Sequence, residues 1–278
     1  MATIDFRQIL NTISDVVQNR PAPLREFDQI YMKVGDMVIQ ADFIARIFNG
    51  CNVVFIGDGD SISLSIMHLK QQKVFSFGPT HILLLDFDER IVNAVNHFAR
   101  NNDLADKIEA VLYNVCDPLP SKYRRVSDAF YTNPPWGASN DGQSVAAFVQ
   151  RGIESIKPMG IGAVVIADDA KLDWSNQVLF KTQKKLTESG FVISEMIPCL
   201  HKYHLDDAPD LTSCCIVARD IKGLSTVRKS KILPTSMLTN FYGRKNPLKV
   251  HYVKDLSGLN LGRASDSSYQ LIPLEKKQ

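Results

Sequence analysis

Four short apolar runs in this chain each stop at an acid or an amide. Cys51 to Ile56 runs into Gly57-Asp58-Gly59-Asp60, and Ile82 to Leu85 runs into Asp86-Phe87-Asp88-Glu89. Ile108 to Val115 ends in Cys116-Asp117, and Asp128 to Thr132 delivers Asn133-Pro134-Pro135-Trp136. The runs are continuously apolar rather than alternating, which is the pattern of strands covered on both faces. Segments with helical spacing separate most of them, over Ser61–Gln71, Glu89–Asn101 and Ser144–Ile156. A parallel, doubly wound α/β sheet follows from that order. Such a sheet takes its ligand outside the carboxyl ends of its strands, where these polar groups collect.

The rest of the chain extends the pattern. Ile161 to Ile166 reads as a fifth strand after a Lys157–Gly160 loop, and a helix is expected from about Asn176 to Ser189. Phe191–Pro198 and about Thr212–Ala218 read as two further strands with no room for a helix between them. They form a hairpin, so the last strand enters antiparallel. That ending separates a Rossmann-like class I methyltransferase fold, with seven mostly parallel strands, from a dinucleotide-binding domain. Residues 1–50 read as an N-terminal helical extension, with helices over about Ile4–Asn19 and Met37–Phe48. Residues 51–220 read as the methyltransferase-like catalytic domain. Residues 221–278 carry Lys222, Arg228, Lys229, Lys231, Arg244 and Lys245 and read as a wrapping C-terminal extension or a dimer arm.

The chain has 278 residues, is 45% hydrophobic and carries a net charge of +2, enough for a sizeable core and too little for a dedicated duplex-DNA binder. Five cysteines (Cys51, Cys116, Cys199, Cys214 and Cys215), with no Cys-x-x-Cys pair and no histidine at zinc spacing, suit reduced and mostly buried thiols in the cytoplasm and give no metal site. The start lacks the basic-then-apolar order of a signal peptide, and no apolar run reaches the length of a membrane span.

Gly57 and Gly59 let backbone approach a ligand, while Asp58 and Asp60 repel a pyrophosphate and suit a cation such as a sulfonium or an ammonium. Asp86, at the end of the second strand, can accept both ribose hydroxyls of a nucleoside. Asp117 is placed to accept from an adenine amino group. Asp88 fits either a helix cap or the site. In Asn133-Pro134-Pro135-Trp136 the prolines stiffen a turn whose Pro134 carbonyl and Asn133 side-chain oxygen can hold a nucleophilic amine. Pro135 completes the corner, and Trp136 offers a flat face to a base or a cation. Asp168 and Asp169, after the fifth strand, could meet a polycation, and with Asp88 are candidates for a base. His201 and His204 read as surface loop histidines.

These residues resemble the catalytic domain of the branched-chain polyamine synthases, the bis-aminopropyl spermidine synthase family. The resemblance runs from about Arg20 to His204 through Arg20-Pro21-Ala22-Pro23, Asp28-Gln29, Gly57-Asp58-Gly59-Asp60, Leu85 to Arg90, Asp117 to Pro120, Asn133-Pro134-Pro135 and Phe148 to Ile153. It implies a methyltransferase-like fold, often dimeric. It also implies aminopropyl transfer from decarboxylated S-adenosylmethionine to an amine of a polyamine such as spermidine. Two departures stand out. The family usually has an acid where this chain has Gly59, and Asp-Pro-Pro where this chain has Asn133-Pro134-Pro135.

Asn-Pro-Pro-Trp is also the signature of amino-group methyltransferases. The alternative is therefore methyl transfer from S-adenosylmethionine to an exocyclic amine of nucleic acid, of the adenine N6 type, with Trp136 stacked on a flipped base. Both readings share a sulfonium nucleoside as donor and need no metal. Neither involves a membrane.

Overall fold

The computed structural model describes residues 6–221, 229–257 and 268–275. Its centre is a seven-stranded sheet: β1 (Asn52–Ile56), β2 (His81–Asp86), β3 (Ile108–Leu112), β4 (Ser127–Thr132), β5 (Ile156–Ala167), β6 (Phe191–Lys202) and β7 (Thr212–Asp220). The spatial order is β3-β2-β1-β4-β5-β7-β6. β1 pairs in parallel with β2 and β4, and β5 in parallel with β4. β7 is antiparallel to both β5 and β6, so the expected hairpin ending is present. The order reverses between β1 and β4, which makes the crevice above those two strands the switch point of the sheet.

Helices cover both faces, as the continuous apolar runs require. In β1 every residue after Asn52 is buried, and in β2 every residue after His81. On one side α1 (Phe6–Asn19) contacts α2 (Val34–Ile47), α3 (Ile62–Gln71) and α4 (Glu89–Asn101). α5 (Gln143–Ser155) packs on β1, β4 and β5 and touches α6 (Asp173–Glu188), which lies on β5 and β6. α4 begins where Asp88 accepts the Arg90 N–H, a side-chain cap that fixes the strand-to-helix turn after β2. Among the described residues, no helix is long and apolar enough to cross a membrane.

Several local expectations change. The Lys157–Gly160 segment is not a loop but the start of β5, irregularly paired and passing through a left-handed Met159. β3 ends at Leu112, well before Asp117. His201 is fully buried on β6, not on a surface loop. Its ring contacts Ser213 Oγ at 2.9 Å and Gln40 Oε1 at 2.7 Å, and burial pushes its pKa down to about 4. Ile4, Lys222 and Arg228 lie outside the described residues.

The tail has more structure than its sequence suggests. α7 (Thr235–Leu238) packs on α5, and β8 (Val250–Asp255) pairs with β9 (Tyr269–Pro273) and packs on α4. Phe241, Tyr242, Leu248 and Val253 are buried in the core.

One packing feature ties the core to the corner after β4. The Phe130 ring lies between Gly152 of α5 and Gly162 of β5, and a Cβ on either glycine would stand 2.3 Å from it. Gly162→Ala should cost about 1–3 kcal/mol by overpacking. Chemical denaturation reads the loss directly, and an unchanged midpoint would show that Phe130 has room to move.

Candidate active site

The carboxyl ends of β1, β2 and β4 open into a cavity of ≈ 810 Å³, counted to its open mouth. Its polar lining is Asp28, Gln29, Asp58, Asp60, Asp86, Asn114 and Asn133. Its aromatic wall is Tyr31, Phe87, Tyr113, Trp136, Phe148, Tyr203 and Tyr242. No Lys, Arg or His is among the described residues that line it. Four acidic side chains thus face a half-enclosed space with no cationic side chain among the described residues that line it.

Gly57 is left-handed at φ 71°, and its N–H donates to Leu85 O. A Cβ there would press on Phe148 at 3.1 Å. At Gly59 a Cβ would meet the Tyr31 ring, also at 3.1 Å. Tyr31 is fixed by its hydroxyl donating to Pro21 O and by the Arg20 guanidinium 4.2 Å from its ring centroid. The missing acid at position 59 therefore coincides with an aromatic ring filling that space.

Asp58 accepts the Ile62 and Ser63 N–H groups at 2.9 and 2.8 Å and caps α3. Burial works against that favourable arrangement and, helped by the charge of Asp60, pushes its carboxyl up to about 8. Asp86 accepts from the N–H groups of Asp58 and Asp88, and burial, with the Asp88 charge, raises it to about 7. Asp60 accepts the Met32 N–H at 2.6 Å and the Asn133 Nδ2 at 2.7 Å. Burial raises it also, while these bonds and Arg20 oppose.

The proline corner is anchored from below. Because Asn133 donates its amide nitrogen to Asp60, its side-chain oxygen is left to accept. Pro134 and Pro135 line the cavity beside it. Trp136 is buried, packs edge-on against Tyr203 at 5.2 Å, and its indole N–H has no partner among the described residues.

Four expected site residues stand elsewhere. Asp88 does not line the cavity: it is fully buried, gripped by Arg90 at 2.7 and 3.0 Å, and also accepts from Gln29. A carboxylate so paired is an anchor rather than a base open to substrate. Asp117 is displaced because β3 ends early. Tyr113, Asn114 and Val115 hold the rim in its place, and Asp117 accepts from His251 Nε2 at 2.6 Å. Cys116, Asp117 and His251 bring their donor atoms within 4.8 Å of one another, a proximity no local spacing reveals. Asp168 accepts the Cys199 N–H and Asp169 the Lys171 N–H, and neither reaches the cavity. Their strand, β5, lies one beyond the switch point.

Sequence reasoning missed several contributors, among them Tyr31, Tyr113 and Asn114. Asp28 entered only through a resemblance, and Tyr203 and Tyr242 were given no role. Tyr242 comes from the tail, stacks near Phe87 at 6.0 Å and meets Phe27 at 5.2 Å.

A doubly wound sheet with an antiparallel seventh strand and an acid-rimmed cavity at its switch point defines the class I methyltransferase-like fold. Within that class, the family model described as the branched-chain polyamine synthase A C-terminal domain matches residues 8–240, and the chain belongs to this family. It is 29% identical over 156 residues to N(4)-bis(aminopropyl)spermidine synthase of Methanocaldococcus jannaschii, covering 55% of this chain and 41% of that protein. It is 26% identical over 202 residues to the enzyme of the same name from Thermococcus kodakarensis, covering 71% and 53%. The chain thus spans about half the length of these relatives. The branched-chain polyamine synthase of Thermus thermophilus, solved with N4-aminopropylspermidine and 5'-methylthioadenosine, superposes with TM-score 0.70 at 20% identity, covering 82% of this chain and 68% of that one. That likeness establishes the shared fold.

Proposed function

We propose that this chain transfers an aminopropyl group from decarboxylated S-adenosylmethionine to an amine nitrogen of a polyamine such as spermidine. The observation that carries the reading is the cavity with four carboxylates and no basic side chain among its described lining residues. Both reactants are cations, and an acidic wall with no basic side chain among its described lining residues favours them over anions by Coulomb attraction. Asp86 would take the ribose hydroxyls, and Asp58 and Asp60 would face the donor's charged tail. Asn133 and the Pro134 carbonyl would accept hydrogens from the attacking amine. The relatives' names and the ligands of the Thermus protein support the same chemistry.

Asn133 itself favours a second reading, transfer of a methyl group to an exocyclic amine. The ordinary donor carries a carboxylate on its tail, and Asp58 and Asp60 oppose it. The polyamine reading stands if purified protein, given decarboxylated donor and spermidine, releases methylthioadenosine. Release of S-adenosylhomocysteine from S-adenosylmethionine and single-stranded DNA or RNA, with no methylthioadenosine in the first assay, would replace it. The same nucleic-acid arm tests whether the exposed Lys229, Lys231, Arg244 and Lys245 contact phosphate.

A further inference from the structure

Three of the four cavity carboxylates also hold parts of the fold, beside the donor roles proposed for them. Each oxygen pair of Asp58, Asp60 and Asp86 accepts hydrogen bonds from two different residues of the protein. Asp28 is different. Its carboxylate lines the cavity with the Trp136 backbone N–H beside it, and among the described residues no side chain donates to it. The corner is therefore flanked by carboxylates at both ends, Asp60 on the Asn133 side chain and Asp28 on the Trp136 backbone.

Asp28 is also held in place. It closes a short turn at φ 58° and ψ 26°, with its N–H donating to Arg25 O. Aspartate tolerates that left-handed conformation at a modest cost. The neighbouring Phe27 ring is wedged against Phe87 and Tyr242. Among the described residues, the titratable and charged groups around it are Arg25 on its own turn and Tyr242 from the tail, with Tyr31, Tyr113, Tyr203, Asp58, Asp60 and Asp86 sharing the cavity wall.

We propose that Asp28 is the carboxylate that pairs with the acceptor ammonium and removes its proton. The inference rests on the aminopropyl reading and names a catalytic residue within it. The secondary ammonium of the acceptor gives one proton to Asp28, leaving a nitrogen lone pair. That lone pair forms the N–C bond to the donor's aminopropyl carbon as the C–S bond breaks. The C–S electron pair stays on sulfur, giving neutral methylthioadenosine. The alkylated nitrogen carries the positive charge, and Asp28 loses its proton to solvent. Burial, opposed by Arg25 and the Trp136 N–H, holds the Asp28 carboxyl at about 6, ionised at neutral pH yet more basic than an exposed aspartate.

The test compares the wild-type chain with Asp28→Asn and Asp28→Glu. Asparagine keeps the shape and accepts the left-handed backbone, so Asp28→Asn should fold, which a thermal melt verifies. Its kcat should fall about 10²–10³-fold. The acidic limb of the wild-type pH profile near 6 should vanish, and methylthioadenosine should bind within about three-fold of wild type. Asp28→Glu should recover part of the rate together with the limb. Spermidine binding at pH 7.5, followed by calorimetry, should weaken at least ten-fold in Asp28→Asn. Turnover within three-fold of wild type, a retained acidic limb or unchanged spermidine affinity would each overturn the assignment. A wild-type chain that releases no methylthioadenosine overturns the aminopropyl reading instead, and the spermidine titration then still decides whether Asp28 pairs with the amine.

Discussion

Asn133→Ala should lower kcat for amine alkylation by about 10³-fold, the loss that follows removal of one well-placed polar group from a reacting centre. Binding of methylthioadenosine should stay within about three-fold. The reasoning starts at β4, whose last residues are fully buried and carry the corner on a rigid base. Asp60 takes the Asn133 amide nitrogen at 2.7 Å, so rotation of that amide would cost a charge-assisted bond. The side-chain oxygen is consequently presented in one direction, ready to accept from an amine and aim its lone pair. Alanine removes both halves at once: the oxygen is lost, and Asp60 loses one of its partners. Asp86, the carboxylate proposed for the donor's ribose, is untouched, because its partners are the backbone of Asp58 and Asp88. Steady-state rates with calorimetry separate the two effects. Equal losses in rate and donor affinity would mean that Asn133 holds the cavity together rather than orienting the amine. Asn133→Asp is informative in the same assay, since it would set two carboxyls in hydrogen-bond contact and force one to keep a proton.

What the sequence made legible follows from where the information sits. β1, β2 and β4 are visible because their residues are apolar without interruption, and a strand buried on both faces has no other composition available. Gly57, Asp58, Gly59, Asp60, Asp86 and the Asn133 corner follow at their ends, and all of them line the cavity. The end of β3 is illegible for a definite reason. Tyr113 and Val115 continue the apolar run after the strand has stopped, so the polar group that marks the rim is Asn114, not Asp117. Asn114 is spent on the fold itself, donating to His251 O and accepting from Cys116 N. His201 was misjudged because Lys202 and His204 beside it are polar. Its burial is imposed by Gln40 and Ser213, remote in sequence. The β8–β9 hairpin depends on similar distant support, including the bridge from Asp88 to Val253. Asp28 closes the three-residue turn Arg25–Phe27, which is too short to show a period.

The ligand-free protein should lose on the order of 4 kcal/mol of stability between pH 5 and pH 8.5, after generous allowance for relaxation and water entry around the buried acids. The groups responsible are Asp28, Asp86 and Asp58, held at about 6, 7 and 8 chiefly by burial. A carboxyl raised in the folded state binds its proton more tightly there than in the unfolded chain. Its contribution to stability is therefore complete below the unfolded pKa near 4 and is lost as pH climbs through the folded value. This is the reverse of the usual behaviour of surface carboxylates such as Asp128, where burial is the largest single influence but Lys157 and the Asn52 N–H together hold the carboxyl low. Thermal melts should show a midpoint some 5–10 °C lower at pH 8.5 than at pH 5.5. Asp86→Asn should flatten that slope. A wild-type midpoint that rises with pH, or an unchanged slope in Asp86→Asn, would sink the account. The same charges give turnover a direction. A dicationic donor and a polycationic acceptor neutralise the ionised wall, so decarboxylated donor should restore more stability at pH 8.5 than at pH 5.5. Methylthioadenosine, which is uncharged at its sulfur, should show no such preference. In the proposed reaction the displacement would thus erase the charge by which the cavity holds the nucleoside, and the spent donor would leave a site that again favours the charged one.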